Sequence, residues 1–144
     1  MKIKYLSQNI NNEIILKIYD TTKFLEKQYP NYNYWFEKIK NEIDGTNREV
    51  IYVEIESEII GLIILKNTKE EKKICTLFVK EKYRNKGIGN ILLGKGFDFL
   101  QTSIPLITIP ENKVYLFERI IKKYNWKYSK TTYIYNTPEK VFNI

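Results

Sequence analysis

The chain has 144 residues, 43% of them hydrophobic and 15% aromatic, which is the size and composition of one globular domain with a real core. It contains no histidine and a single cysteine, Cys75, which excludes a Ser-His-Asp triad, a Cys-His pair, a His-ligated zinc and an internal disulfide framework. The net charge is +7, almost all from lysines scattered along the chain; this reads as solubilising surface more than as a dedicated nucleic-acid face, with a nucleic-acid partner left open and not favoured.

Lys2–Leu6 reads as an opening strand. It is too short and polar for a signal peptide, and no apolar run reaches the ~18–20 residues of a membrane span, so a cytoplasmic protein with no membrane role is expected. Asn11 or Asn12 caps a helix carrying Ile14, Ile15, Ile18 and Leu25, which Pro30 ends. A second helix has Tyr32, Trp35, Phe36, Ile39 and Ile43 on one face and stops at Asp44-Gly45. Strands follow over Glu49–Ile55 and Ile59–Leu65, joined by the polar turn Glu56-Ser57-Glu58. The second is apolar throughout and is expected at the centre of the sheet, buried on both faces. After the charged loop Asn67–Lys73 comes a third apolar strand, Ile74–Val79.

A polar connection, Lys80–Lys86, leads into a helix over Gly87–Thr102 with Ile88, Ile91, Leu92, Gly96 and Phe99 as its buried stripe. The remainder reads as strand Leu106–Ile109, helix Glu111–Tyr124, and strands Trp126–Ser129 and Thr132–Asn136, with Thr137–Ile144 a peripheral tail. The order β-α-α-β-β-β-α-β-α-β-β describes one α/β domain of the α+β type, spanning residues 1–144.

The most informative stretch runs from Leu77-Phe78-Val79 through Arg84-Asn85-Lys86-Gly87-Ile88-Gly89-Asn90. A buried strand feeds a loop that ends in two glycines and opens a helix. Helix N-termini offer unpaired N–H groups and the positive end of the macrodipole, so this place suits an anion. Gly87 and Gly89 let a phosphate approach the backbone, and Arg84 and Lys86 add positive charge. The amides of Ile88, Gly89 and Asn90 are expected to face a pyrophosphate. The dinucleotide fingerprint does not fit, since Leu92 stands at its third glycine.

Arg84-x-x-Gly87-x-Gly89, with Leu77-x-Val79 upstream, Tyr83 before the arginine and Ile88-x-x-Ile91-Leu92 after it, resembles the acetyl-CoA motif of the GNAT superfamily of acetyltransferases. The element order agrees over nearly the whole chain. The resemblance implies a mixed, mostly antiparallel sheet of about seven strands flanked by about four helices. It implies that Ile74–Val79 splays from Leu106–Ile109, that the pantetheine arm pairs near Leu77, Phe78 and Val79, and that the pyrophosphate sits on Arg84–Asn90. Acetyl-CoA is then a cosubstrate and no metal is needed. An acceptor amine attacks the thioester directly, a backbone N–H near Phe78 or Val79 polarises the carbonyl, and a tyrosine commonly protonates the thiolate.

The family's later signature, an Asn and then Tyr-x-x-x-Gly-Phe, has Asn112 at the helix start and Asn125-Trp126 in place of Gly-Phe. Asn125 can take the left-handed conformation that glycine supplies. That alignment puts Ile121 at the acid position, with Tyr124 the nearest candidate acid and water the other. Ile74–Val79 holds no carboxylate to act as base; Glu54, Glu56 and Glu58 read as a solvated turn, and Cys75 as packing, not a nucleophile. The first two helices would wall the acceptor, and Tyr29 or Tyr34 could stack on it.

The implied activity is N-acetyl transfer from acetyl-CoA to an amine: a small molecule, a protein amine or an aminoacyl-tRNA. A CoA-binding sensor without turnover and a basic RNA-binding module are the other readings. Monomer and homodimer are both compatible, the tyrosine-rich Trp126–Asn136 strand pair being a possible subunit edge.

Overall fold

A computed structural model describes residues 1–144. Its strands are β1 (Lys2–Tyr5), β2 (Arg48–Ile55), β3 (Glu58–Asn67), β4 (Lys72–Val79), β5 (Leu106–Pro110), β6 (Tyr128–Thr132) and β7 (Glu139–Phe142). They form one sheet in the order β1-β2-β3-β4-β5-β7-β6, antiparallel except for the β4–β5 pair. Helices α1 (Asn12–Thr22) and α2 (Tyr32–Glu42) cover one face; α3 (Ile88–Leu100) and α4 (Glu118–Lys123) cover the other. None of the helices is long and apolar enough to cross a membrane.

The expected centre of the sheet holds. Every residue of Ile59–Leu65 is buried, and its side chains alternate between two cores. Ile63 and Leu65 meet Leu92, Leu93 and Leu100 of α3, while Leu62 and Ile64 meet Ile18, Tyr32, Phe36 and Ile39 of α1 and α2. Gly96 is required by this packing: a Cβ there would lie 2.9 Å from Ile63 Cδ1, so α3 rides directly on β3. The stripe of α3 is Ile88, Leu92, Leu93, Gly96 and Leu100. Ile91 and Phe99, expected in it, are only half-buried.

Several expectations change. The first helix stops at Thr22 and continues to Lys27 as a 3₁₀ turn, well short of Pro30. Thr21 and Thr22 donate their hydroxyls to the carbonyls of Lys17 (2.7 Å) and Ile18 (3.0 Å), which competes with helix propagation. The helix expected over Glu111–Tyr124 is a 3₁₀ helix to Phe117 and α-helical only from Glu118. Val114, Phe117 and Ile120 recur every third residue, the spacing that a 3₁₀ helix places on one side.

The last two strands are shifted as well. Of the strand expected over Thr132–Asn136 only Thr132 is extended, as the end of β6, which runs over Tyr128–Thr132 and not Trp126–Ser129; Tyr133 and Ile134 are exposed in a loop. The expected tail instead supplies β7, which inserts between β5 and β6 with Glu139, Val141 and Phe142 buried. A four-residue strand that opens on a buried glutamate and a lysine carries little apolar signal, and one of its two partners, β5, lies some thirty residues upstream. Glu54 also departs from a solvated turn: it is buried beside β1 and paired with Lys4 at 2.7 Å.

Candidate active site

The parallel pair β4–β5 is joined at only two positions, Lys73 with Leu106 and Ile74 with Ile107. Beyond them the strands part. The cause is local: a register shift in the β3–β4 ladder leaves Cys75 as an extra residue, and such a bulge bends its strand. The opening is a cleft of about 610 Å³ lined by Cys75–Val79 on one side and Ile107–Pro110 on the other.

Backbone polarity in this cleft follows from the ladder. Lys80 N–H donates to Ile60 C=O at 2.8 Å, and antiparallel pairs alternate between bonded and unbonded. Phe78 and Thr76 therefore spend their backbone groups on β3, while those of Leu77 and Val79 face the open edge. On β5, Glu111 N–H donates to Pro138 C=O at 2.8 Å, which by the same alternation turns Thr108 and Pro110 toward the cleft. Proline is tolerated at position 110 because its missing donor falls on the side without a neighbour. The cleft thus presents a short row of free backbone donors and acceptors between apolar walls.

At the wide end of the cleft lies the glycine loop. Asn85 (φ 61°) and Gly87 (φ 84°) are both left-handed, and Gly87 caps α3. The first intrahelical bond is Ile91 N–H to Gly87 C=O, 3.0 Å, so the amides of Ile88, Gly89 and Asn90 have no helical partner. Arg84 is held against the strand end, its Nε donating to Val79 C=O at 2.9 Å, and no carboxylate pairs with its guanidinium. Lys82 and Lys86 lie 5.0 and 5.9 Å from the Tyr83 ring centre, which packs against the α3-side core. A Cβ on Gly89 would meet only Val79 Cγ2, at 3.9 Å, so nothing in the protein itself fills the space before it.

Leu77, Phe78, Val79, Arg84, Asn85, Gly89 and Asn112 share the cleft wall. Lys86 and Gly87 stand exposed on the same loop and Asn90 on the first turn of α3, and Ile88 points its side chain into the core, leaving only its amide outward. Tyr124 does not line the cleft; its ring meets Phe97 of α3 edge-on, centroids 4.9 Å apart. Asn125 is left-handed (φ 55°), as its place after the helix asks. Cys75 lines the cleft, with burial pushing its thiol pKa up against the opposing pull of Arg48, whose Nη1 lies 3.3 Å from the sulfur.

The opposite rim joins two segments distant in sequence. The 3₁₀ turn after α1 places Phe24 against Phe78, centroids 5.0 Å apart. Gln28 exchanges hydrogen bonds with the Thr137 backbone (3.0 and 3.3 Å), and Asn136 Nδ2 donates to Lys27 C=O at 3.0 Å. Tyr29 donates its hydroxyl to the Glu139 carboxylate and meets Tyr135 edge-on at 4.9 Å. Its aromatic surroundings mark Tyr29 in the sequence; Glu139, Thr108 and Gln28 carry no such signal, since only the tertiary fold brings them to the rim.

Residues 12–114 match the model of the Acetyltransferase (GNAT) family. No curated protein matches the sequence. Among solved structures, one described as a GNAT-family acetyltransferase from Desulfovibrio desulfuricans superposes with a TM-score of 0.74 at 8% identity, covering 98% of this chain and 96% of that one. The PaiA N-acetyltransferase of Thermoplasma acidophilum, solved with coenzyme A, gives 0.65 at 17% identity, with 99% of each chain covered. A Bacillus anthracis protein described as a streptothricin acetyltransferase, solved with acetyl coenzyme A, gives 0.57 at 19% identity over 72% of this chain and 64% of that one. A family match across most of the length, on a sheet split where that fold splits, has one reading: this chain belongs to the GNAT family of acetyltransferases.

Proposed function

We propose that the protein is an N-acetyltransferase that takes acetyl-CoA as cosubstrate and moves the acetyl group directly onto an acceptor amine. The observation that carries this reading is the juxtaposition of an open strand edge at Leu77 and Val79 with three free amides at the start of α3. A pantetheine arm is a chain of amides and needs such an edge; a pyrophosphate needs such a helix start. Arg84, pinned by Val79 C=O, presents its two Nη groups to the phosphates. Asn112 and Lys113 face the same ligand from the far wall.

Of the two amides expected to polarise the thioester carbonyl, Val79 N–H is the one that the ladder leaves free. The thioester arrives activated, so no histidine or nucleophilic side chain is required. With Tyr124 turned onto Phe97, water from the cleft mouth is the donor to the leaving sulfur. The acceptor enters over the rim formed by Phe24, Gln28 and Tyr29.

Calorimetric titration with acetyl-CoA, followed by thiol release over a panel of amines, tests the proposal. Saturable 1:1 binding with amine-dependent release is expected. No binding sinks it; binding without release over a broad panel makes the protein a CoA sensor, the reading that Tyr124's position outside the cleft would then favour.

A further inference from the structure

The walls of the cleft carry three cationic side chains, Lys27, Arg84 and Lys113, and no carboxylate. A base for the acceptor amine is therefore not on the surface of the site. One carboxylate, that of Glu139, sits behind the Tyr29 hydroxyl at the rim. Glu139 is 4% exposed and sits on β7 beside Pro110, at the wide end of the cleft. A carboxylate this buried is ordinarily paired with a cation or with backbone amides. Glu54 has Lys4 at 2.7 Å, and Glu49 takes the N–H groups of Ser7 and Val50, each at 3.0 Å. Glu139 has neither: its partner is the Tyr29 hydroxyl, and the adjacent Lys140 turns away to Glu111 and Thr131. The chain has lysines to spare, yet this buried anion is left without a cation, behind a phenol that lines the acceptor rim.

Resting on the acetyl-transfer reading above, we propose that Tyr29 and Glu139 form the relay that removes the proton from the acceptor ammonium. The ammonium proton passes to Tyr29 Oη as the Tyr29 hydroxyl proton passes to Glu139 Oε2. The freed nitrogen lone pair forms the bond to the thioester carbonyl carbon, and the carbon–sulfur bond breaks with its electron pair going to sulfur. The second nitrogen proton, lost as the amide forms, reaches that sulfur through water, and Glu139 returns its own proton to solvent. Tyr29 is the catalytic residue; Glu139 acts through it. Burial and the bond to Glu139 both push the Tyr29 pKa up, so the phenol stays protonated and serves as a conduit, never as a free phenolate. The other ionisable groups facing the pair are Tyr135, edge-on to Tyr29, and Lys27 on the same rim.

The test compares wild type, Tyr29→Phe and Glu139→Gln by thiol release with trifluoroethylamine, glycinamide and benzylamine, amines of rising basicity. Glu139→Gln keeps the shape and an acceptor for the Tyr29 hydroxyl, so it folds even if Tyr29→Phe loosens the rim. Both variants are expected to keep wild-type affinity for acetyl-CoA by calorimetry. Both should lose about 10²-fold in kcat with benzylamine at neutral pH, the usual worth of a positioned base. The deficit should shrink as pH approaches the amine's own pKa, and should be small with trifluoroethylamine, which is already neutral. A loss equal for all three amines at every pH, or no loss, overturns the relay. A wild type that binds acetyl-CoA yet releases no thiol with any of these amines overturns it too. No binding of acetyl-CoA fails the earlier reading instead.

Discussion

Proline substitution at two adjacent residues separates the open edge of β4 from its bonded edge. At Val79 a proline removes an N–H that faces the cleft; at Phe78 it removes one committed to β3. Phe78→Pro leaves the carbonyl of Leu62, a residue with 0% exposure, without its donor, at a cost of about 1–3 kcal/mol. It also deletes the ring packed at a tilt against Phe24, centroids 5.0 Å apart, worth about 1 kcal/mol more. The sum of about 3 kcal/mol lowers Tm by roughly 10 °C for a chain of this size. Val79→Pro keeps most of the side-chain volume and every ladder bond, so it costs about 1 kcal/mol or less, or ~3 °C. Strand β5 already tolerates proline at the equivalent cleft-facing position, Pro110. Activity should divide the other way, with Val79→Pro losing about 10²–10³-fold in kcat as an oxyanion donor disappears. Thermal unfolding by circular dichroism and thiol release read the two effects. A Val79→Pro protein that unfolds as early as Phe78→Pro, or that keeps its kcat, refutes the assignment of free backbone groups.

Other perturbations probe separate parts of the molecule. Gly89→Trp should fold normally, since a Cβ there meets only Val79 Cγ2 at 3.9 Å, and should weaken acetyl-CoA at least 100-fold by calorimetry, about 3 kcal/mol of lost charge-assisted bonds; unchanged affinity would move the pyrophosphate elsewhere. Asp44 Oδ1 accepts from the N–H groups of Thr46, Asn47 and Arg48 at 3.0, 2.8 and 3.1 Å, and these bonds, that of Thr46 foremost, pull its pKa down to about 2. A carboxyl depressed in the folded state contributes stability above its unfolded pKa and loses it as pH falls through the folded value. Asp44→Asn should therefore cost about 1 kcal/mol at neutral pH, solvent screening at this exposed turn included, and the two urea denaturation curves should converge between about pH 4 and 2; a gap independent of pH would disprove the charge effect. Tyr52 is fully buried with no partner for its hydroxyl, so Tyr52→Phe should leave stability unchanged or raise it by up to about 1 kcal/mol in the same assay; a loss above that size would reveal a partner.

Much of this architecture is written locally, and what is not written locally is what the sequence hides. Ile59–Leu65 announces a central strand because every residue is apolar, and Gly87 and Gly89 mark the start of α3 because a left-handed cap and an uncovered amide row both need them. The end of α1 depends on two threonine hydroxyls choosing carbonyls over solvent, a competition that apolar spacing does not register. Strand β7 is hidden in the sequence for a different reason. Glu139-Lys140-Val141-Phe142 becomes a strand because it fills the slot between β5 and β6, and Glu139 can be buried there only because Tyr29, 110 residues earlier, supplies its hydrogen bond. The same distance explains the site. The acetyl-CoA side is contiguous from Leu77 to Asn90 and legible as a motif, whereas the acceptor side is assembled from the α1–α2 connection and the β6–β7 loop, whose contacts no spacing rule encodes.

Amide resonances followed during titration with acetyl-CoA test the central claim most directly. The N–H groups of Leu77, Val79, Gly89 and Asn90 should shift together and saturate at one equivalent. Those of Thr76 and Phe78, already bonded to β3, should move far less. Shifts confined to other surfaces, or an equal response from Phe78 and Val79, would contradict a cosubstrate seated on the open edge of β4.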